Sequence, residues 1–211
     1  MREEMRLDAR FHHELRRPGR RPTPLSLALL WLGSPGLWAL FWHRLGHHSA
    51  TAPRHGALGR LCGLPLRAAV FLTHYLSHVL VKCDLLPSMS IEGGVCLANR
   101  GHIVLGARTV GRGTLIHDHV TIGMGLADGA LPTIGRNVWI GPHCVIYGGV
   151  TIGDGVTVLP RTVLTRSLPA AVVVGGNPAR VVRGGFDNSA LRSSFSARPD
   201  VAPGELDLRP G

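Results

Sequence analysis

From Val104 to Leu164 an aliphatic side chain returns every six residues: Val104, Val110, Ile116, Ile122, Ile134, Ile140, Ile146, Ile152, Val158 and Leu164. The beat at Asp128 is missed, yet Ile134 stays in step with Ile122 because the intervening segment is two beats long. A second apolar series lies two residues earlier, at Val120, Val138, Cys144, Val150 and Val156, and glycine follows the main beat at Gly123, Gly135, Gly141 and Gly153. Neither the helical nor the plain strand period gives such a repeat. A solenoid of short strands and tight turns does, because each beat stacks on the one a turn below. Ten beats at three per turn predict roughly three complete turns. The fold class expected is therefore mainly β, a hexapeptide-repeat solenoid preceded by a short α-helical segment.

The flanks divide the chain further. Residues 1–24 carry seven arginines and read as a basic mobile leader, with residues 25–84 as an α-helical segment. The apolar stretch Leu25–Trp42 just reaches the length of a membrane span. Gly33-Ser34-Pro35-Gly36 interrupts it, so two short helices are predicted, one started by Thr23-Pro24 and the other by Ser34-Pro35. Packing of these helices is the first reading, and peripheral membrane contact through 1–42 is the alternative. A third helix is predicted over Pro65–Lys82, where apolar residues recur at helical spacing. Ile91, Leu97 and Ile103 also recur every six but one residue out of phase, so the solenoid domain is assigned to 85–183 with a register adjustment near 103–104. Residues 184–211 lack periodicity and read as a disordered tail.

Composition narrows the partners. The formal net charge is +10, but 22 of the 23 basic residues are arginine, and between 91 and 183 eight arginines face four acids. That modest positive field suits a phosphate-rich small molecule. Nucleic acid is not expected, since the basic residues are not interleaved with aromatics. The four cysteines, Cys62, Cys83, Cys96 and Cys144, show no C-x-x-C spacing and read as reduced, buried thiols of a cytoplasmic protein. His43/His47 and His74/His78 have the i, i+4 spacing of metal ligands, but no further ligand follows at a diagnostic distance. They are read as polar-face histidines, and no metal is expected.

The Ile-Gly hexads, the run Asn137-Val138-Trp139-Ile140-Gly141 and the ending Val174-Gly175-Gly176-Asn177-Pro178-Ala179-Arg180 resemble the hexapeptide-repeat acyltransferases. Within them, the helical segment before the solenoid, Leu97…Ile103-Val104 and Val120-Thr121-Ile122-Gly123 resemble the serine acetyltransferase branch, which includes exopolysaccharide O-acetyltransferases. The resemblance implies a left-handed parallel β-helix, assembled as a homotrimer with acetyl-CoA as co-substrate and a hydroxyl acceptor. Gly123, Gly141, Pro142, Leu159 and Pro160 would border the pantetheine arm, and Asn177-Pro178-Ala179-Arg180 would close the site. Arg161, Arg166 and Arg180 would reach the CoA phosphates.

Transfer to a hydroxyl needs a base, and histidine is the usual one. Serine acetyltransferases carry Leu-Asp-His-x-x-Gly-Ile-Val, where this chain has Leu97-Ala98-Asn99-Arg100-Gly101-His102-Ile103-Val104. Their Asp-Arg-His-Pro becomes Gly129-Ala130-Leu131-Pro132. What remains is Leu115-Ile116-His117-Asp118-His119-Val120, two histidines flanking a carboxylate. His117 is ranked first as base, then His119, then His102, with Asp118 as orienter. A backbone N–H at the glycine turns would stabilise the oxyanion. The segment 124–132 reads as an acceptor-binding excursion. The acceptor is either a sugar hydroxyl of an envelope or exported polysaccharide, or L-serine. Two other readings compete: a solenoid that has lost catalysis and serves as a scaffold, and a trimeric zinc hydratase, whose histidine spacing His117, His119 and His143 do not match.

Overall fold

The computed structural model describes residues 1–17, 19–51, 75, 82–98, 101–125 and 129–194, without side-chain placement at 49–51 and 193–194. Three parallel sheets stack into a prism, the left-handed β-helix of about five turns that the resemblance implies. One face carries β1 (Cys83–Leu85), β4 (Ile103–Leu105), β7 (Thr121–Gly123), β10 (Val145–Tyr147) and β13 (Val163–Leu164). The second carries β2 (Ser90–Ile91), β5 (Thr109–Val110), β8 (Thr133–Ile134) and β11 (Thr151–Ile152). The third carries β3 (Cys96–Leu97), β6 (Leu115–Ile116), β9 (Trp139–Ile140), β12 (Thr157–Val158) and β14 (Val172–Gly175), to which β15 (Arg180–Gly184) adds antiparallel.

The hexad beats form the core: Val110, Ile116, Ile122, Ile134, Ile140, Ile146, Ile152, Val158 and Leu164 are all buried, as is the second series. Two details differ from the sequence expectation. The first turn begins at Cys83, close to the expected start at 85, and there are about five turns because the beats from Val104 to Leu164 left out the turn before them and the strand Val172–Gly175 after them. And Val104 is only half-buried, while Ile103 and Leu105 point inward. Leu105 is the residue stacked on Ile122. Eight positions separate the inward Leu97 from Leu105 and five separate Leu105 from Val110, where six is the rule, and the two departures together make the phase slip.

The helical segment starts earlier than expected. Residues Arg2–Arg16 form α1, followed by α2 (Pro24–Leu32) and α3 (Pro35–Thr51). The leader read as mobile is therefore ordered over α1, and the cause is a buried ion pair. Arg44 on α3 donates from Nε to Asp8 Oδ2 at 2.9 Å and from Nη2 to Oδ1 at 3.2 Å. The same guanidinium donates to the carbonyls of Ile91 and Glu92. Asp8 Oδ1 also accepts from the N–H groups of Gly94 and Val95. One carboxylate thus joins α1, α3 and the first turn, although burial pushes its carboxyl above the ordinary value against the pull of Arg44 and the two amides. At Gly36 the α3 backbone meets the Leu97 carbonyl so closely that a Cβ would collide with it.

Thr23-Pro24 and Ser34-Pro35 open α2 and α3 as predicted, the first through a Thr23/Ser26 capping box. The third predicted helix, Pro65–Lys82, lies outside the described residues except for Tyr75 and Lys82, as do Cys62 and His74/His78. The tail is ordered as far as α4 (Ser189–Ser194). Asn188 Nδ2 donates to the carbonyls of Asn137 and Gly155, and Arg192 donates to the side chains of Asn137 and Asn188, which fastens 185–192 to a corner of the solenoid. Residues 195–211 lie outside the described residues. No single helix among the described residues is long and apolar enough to cross a membrane.

Candidate active site

One edge of the prism collects most of the residues singled out in the sequence. The strands β3, β6, β9, β12 and β14 pair in register, with Leu97, Ile116, Ile140, Val158 and Val174 as successive partners. The residue after each therefore stacks in a column: Ala98, His117, Gly141, Leu159 and Gly175. Ladder bonds of 2.8 to 3.0 Å run down this column, from the N–H of Ala98 to Ile116 O, His117 to Ile140 O, Gly141 to Val158 O, and Leu159 to Val174 O. Two residues further on stand His119, His143 and Arg161, each left-handed with φ of 56°, 59° and 61°. These are the tight turns that bend the chain from the third face to the first. The N–H of His143 donates to Asp118 O, and that of Arg161 to Pro142 O.

The side chains on this edge are arranged unequally. His117 sits edge-on to Trp139, ring centroids 4.8 Å apart, and burial holds its pKa down to about 4 despite the upward pull of Asp118. His119 is exposed and lies parallel to His143, with ring centroids 4.7 Å apart and an interplanar angle of 3°. On its other side is Gly101, where an added Cβ would lie 2.5 Å from His119 Nε2 and 3.0 Å from the Asp118 Cβ. The missing side chain at 101 makes room for that ring. His102 is exposed at the same edge, one residue before β4.

Pro142, Pro160 and Arg161 fall on this edge beside the histidines. The closing turn Asn177-Pro178-Ala179-Arg180 follows it directly, contains a cis Asn177–Pro178 bond, and is tied back by the Ala179 N–H to Val163 O. Arg161 and Arg180 are both exposed there. Gly123 does not join them: it ends β7, across one face from His119. Arg166 likewise lies beyond β13, at the far end of that strand from Arg161. The glycine-turn amide expected at the oxyanion is committed elsewhere, since Gly141 N–H donates to Val158 O, and Pro142 and Pro160 have none.

The sequence pointed to His143 only in the zinc reading and to Trp139 only in the run 137–141, and to neither as a neighbour of the candidate bases. The signal existed: with the 124–132 excursion counted as one extra beat, 119 and 143 fall in the same column, as do 115 and 139. Asn99, Arg100 and 126–128 lie outside the described residues; the two ends of the excursion are joined by the Gly125 N–H donating to Ala130 O. His43 and His47 donate to the carbonyls of Leu86 and Pro87; His43 is buried rather than on a polar face, its ring taken up by the Leu86 carbonyl. No cluster of three or more His, Cys, Asp or Glu suited to a metal occurs among the described residues. Cys83, Cys96 and Cys144 are buried free thiols, and burial pushes Cys83 up to about 12 and Cys144 up to about 11.

Comparison with known proteins agrees with the fold. The family profile described as bacterial transferase hexapeptide (six repeats) matches residues 132–166. A plasmid-encoded serine acetyltransferase of Synechococcus elongatus is 30% identical over 161 residues, covering 71% of this chain and 47% of the relative. Galactoside O-acetyltransferase of Escherichia coli is 51% identical over 37 residues, 18% of each chain. Among solved structures, serine acetyltransferase of Brucella abortus strain S19 in complex with coenzyme A superposes with a TM-score of 0.68 at 21% identity, over 87% of this chain and 68% of that one. These matches point to the hexapeptide-repeat acyltransferase superfamily, and within it to proteins like the serine acetyltransferases. The chain spans about half the length of the Synechococcus relative.

Proposed function

We propose that the protein is an acetyl-CoA-dependent O-acetyltransferase whose acceptor is a sugar hydroxyl rather than L-serine. The observation that carries the reading is the edge on which His119, seated between Gly101 and His143, stands beside Asp118, Arg161 and the closing Asn177–Pro178 turn. The likeness of the coil to a serine acetyltransferase solved with coenzyme A supports the donor. In this reading CoA lies along the edge, its phosphates paired with Arg161 and Arg180 by charge-assisted hydrogen bonds. A homotrimer would complete the site from a neighbouring copy.

His119 is taken as the base ahead of His117. Burial holds His117 at about 4, so its imidazole is a weak proton acceptor at neutral pH, while His119 faces solvent where an acceptor can arrive. His119 takes the proton of the acceptor hydroxyl as its oxygen attacks the thioester carbonyl. The tetrahedral intermediate collapses by breaking the C–S bond, and the imidazolium returns the proton to the departing CoA thiolate. The parallel His143 ring holds the imidazole in place, while the Asp118 carboxylate acts on His117. The acceptor preference rests on Ala98 and Leu131, which stand where the branch's serine-directed Asp-His and Arg-His motifs would be.

The test is thiol release from acetyl-CoA with L-serine and with a panel of sugars. Release with a sugar and none with L-serine is expected. Equal or greater release with L-serine overturns the acceptor assignment. Absence of both release and CoA binding would assign the protein to the scaffold reading instead.

A further inference from the structure

Helix α2 exposes an apolar stripe. Its sequence, Pro-Leu-Ser-Leu-Ala-Leu-Leu-Trp-Leu, carries no charge, and only Leu30 is buried. Leu25, Ala28, Leu29 and Leu32, at helical positions i, i+3, i+4 and i+7, all face outward. The leucines are 70%, 56% and 77% exposed, on a face where a water-facing helix would place polar groups. Behind the stripe, α2 is braced by aromatic rings: Trp31 packs edge-on to Trp38 and Phe41, and Trp38 Nε1 donates to Trp31 O while its ring stays partly exposed. The stripe is therefore held rigidly outward.

The charge beside it names the partner. Arg17, Arg20 and Arg21 are exposed in the turn that leads into α2, and the Thr23/Ser26 capping box fixes the first helical turn next to them. From Leu15 to Cys83 the sequence contains no Asp or Glu at all. Glu14 accepts from the Gly19 N–H in this turn, against three exposed arginines, so the turn stays net cationic. A cationic turn adjoining exposed leucines and a tryptophan is the chemistry that settles into a bilayer interface, apolar face in the acyl boundary and arginines among anionic headgroups. We propose that α2 and the arginine turn before it dock this protein on an anionic membrane surface, lying in the interface rather than spanning it. The inference is independent of the acetyl-transfer reading. A face for a second copy of the chain would need acids to meet these arginines, and this segment supplies none.

The test is co-sedimentation of the full chain with vesicles of neutral phosphatidylcholine alone or with about 30 mol% phosphatidylglycerol, at about 0.1 M and 0.5 M salt. Binding to the anionic vesicles, weakened by salt, is expected. Arg20→Ala/Arg21→Ala should lower partitioning on the order of 10-fold or more. Leu29→Ser/Leu32→Ser should lower it at least as much, with unchanged circular dichroism because both side chains are exposed. No vesicle binding by the wild type, or binding indifferent to phosphatidylglycerol and to the arginines, would overturn the proposal. So would a fall in oligomeric mass in the leucine variant without vesicle binding, which would make the stripe a contact between copies.

Discussion

Replacing Asp8 by Ala should destabilise the junction between the helices and the coil far more than its small change in volume suggests. The side chains of Asp8 and Arg44 are 3% and 4% exposed, so the substitution leaves a guanidinium charge buried without its carboxylate. Breaking such a pair costs about 3–5 kcal/mol. The Gly94 and Val95 amides lose their acceptor at the same time, a penalty of about 1–3 kcal/mol that overlaps the first rather than adding fully to it. Against this, Arg44 keeps the Ile91 and Glu92 carbonyls and a 3.5 Å contact with Glu4. A net loss of about 4 kcal/mol is expected, which for a chain of this size lowers Tm by roughly 8–16 °C. Urea unfolding by circular dichroism measures it, and hydrogen exchange should show α1 losing protection before the coil does. Asp8→Asn, which keeps an acceptor for the two amides, should lose less. A loss under about 0.5 kcal/mol for Asp8→Ala would refute the reasoning and leave the ion pair without a structural role.

Two further outcomes follow from the same geometry. Burial holds His12 and His117 at about 4, whereas the unfolded chain takes up protons near 6.5. The unfolded state therefore binds more protons between these values, so stability should fall as pH drops from about 6.5 to 4, and His12→Gln should flatten that slope in urea titrations. At the candidate site, Gly101→Ala places a Cβ against the His119 ring, and its backbone does not need positive φ. It should lower kcat on the order of 100-fold by displacing the base, with little change in Tm, and should add almost nothing in a His119→Ala background.

The solenoid was legible because its determinants are local and repeated. Ile116, Ile122, Ile134 and Ile140 announce themselves by spacing alone, and each meets its partner one turn away. The slip at Val104 was half-visible, since a change of phase in the sequence says that a corner changed length but not which corner. The order of α1 was not legible at all. Its Asp8 and His12 look like surface residues in an acidic and basic segment, and the partners that bury Asp8 lie 36 to 87 positions away. The site was legible residue by residue, as His117-Asp118-His119 and Asn177-Pro178-Ala179-Arg180. Its geometry depended on stacking, and that is why the contact of His119 with His143, across a turn lengthened by 124–132, emerged only in three dimensions.

The most direct test of the account compares thiol release from acetyl-CoA by wild type, His119→Ala and His117→Ala, each with the best sugar acceptor from the panel and with CoA binding followed in parallel. His119→Ala should lose about 100-fold or more in kcat with CoA affinity retained, and His117→Ala should lose less. Full activity in His119→Ala would contradict this assignment, and a loss confined to His117→Ala would return the role of base to the half-buried ring beside Trp139.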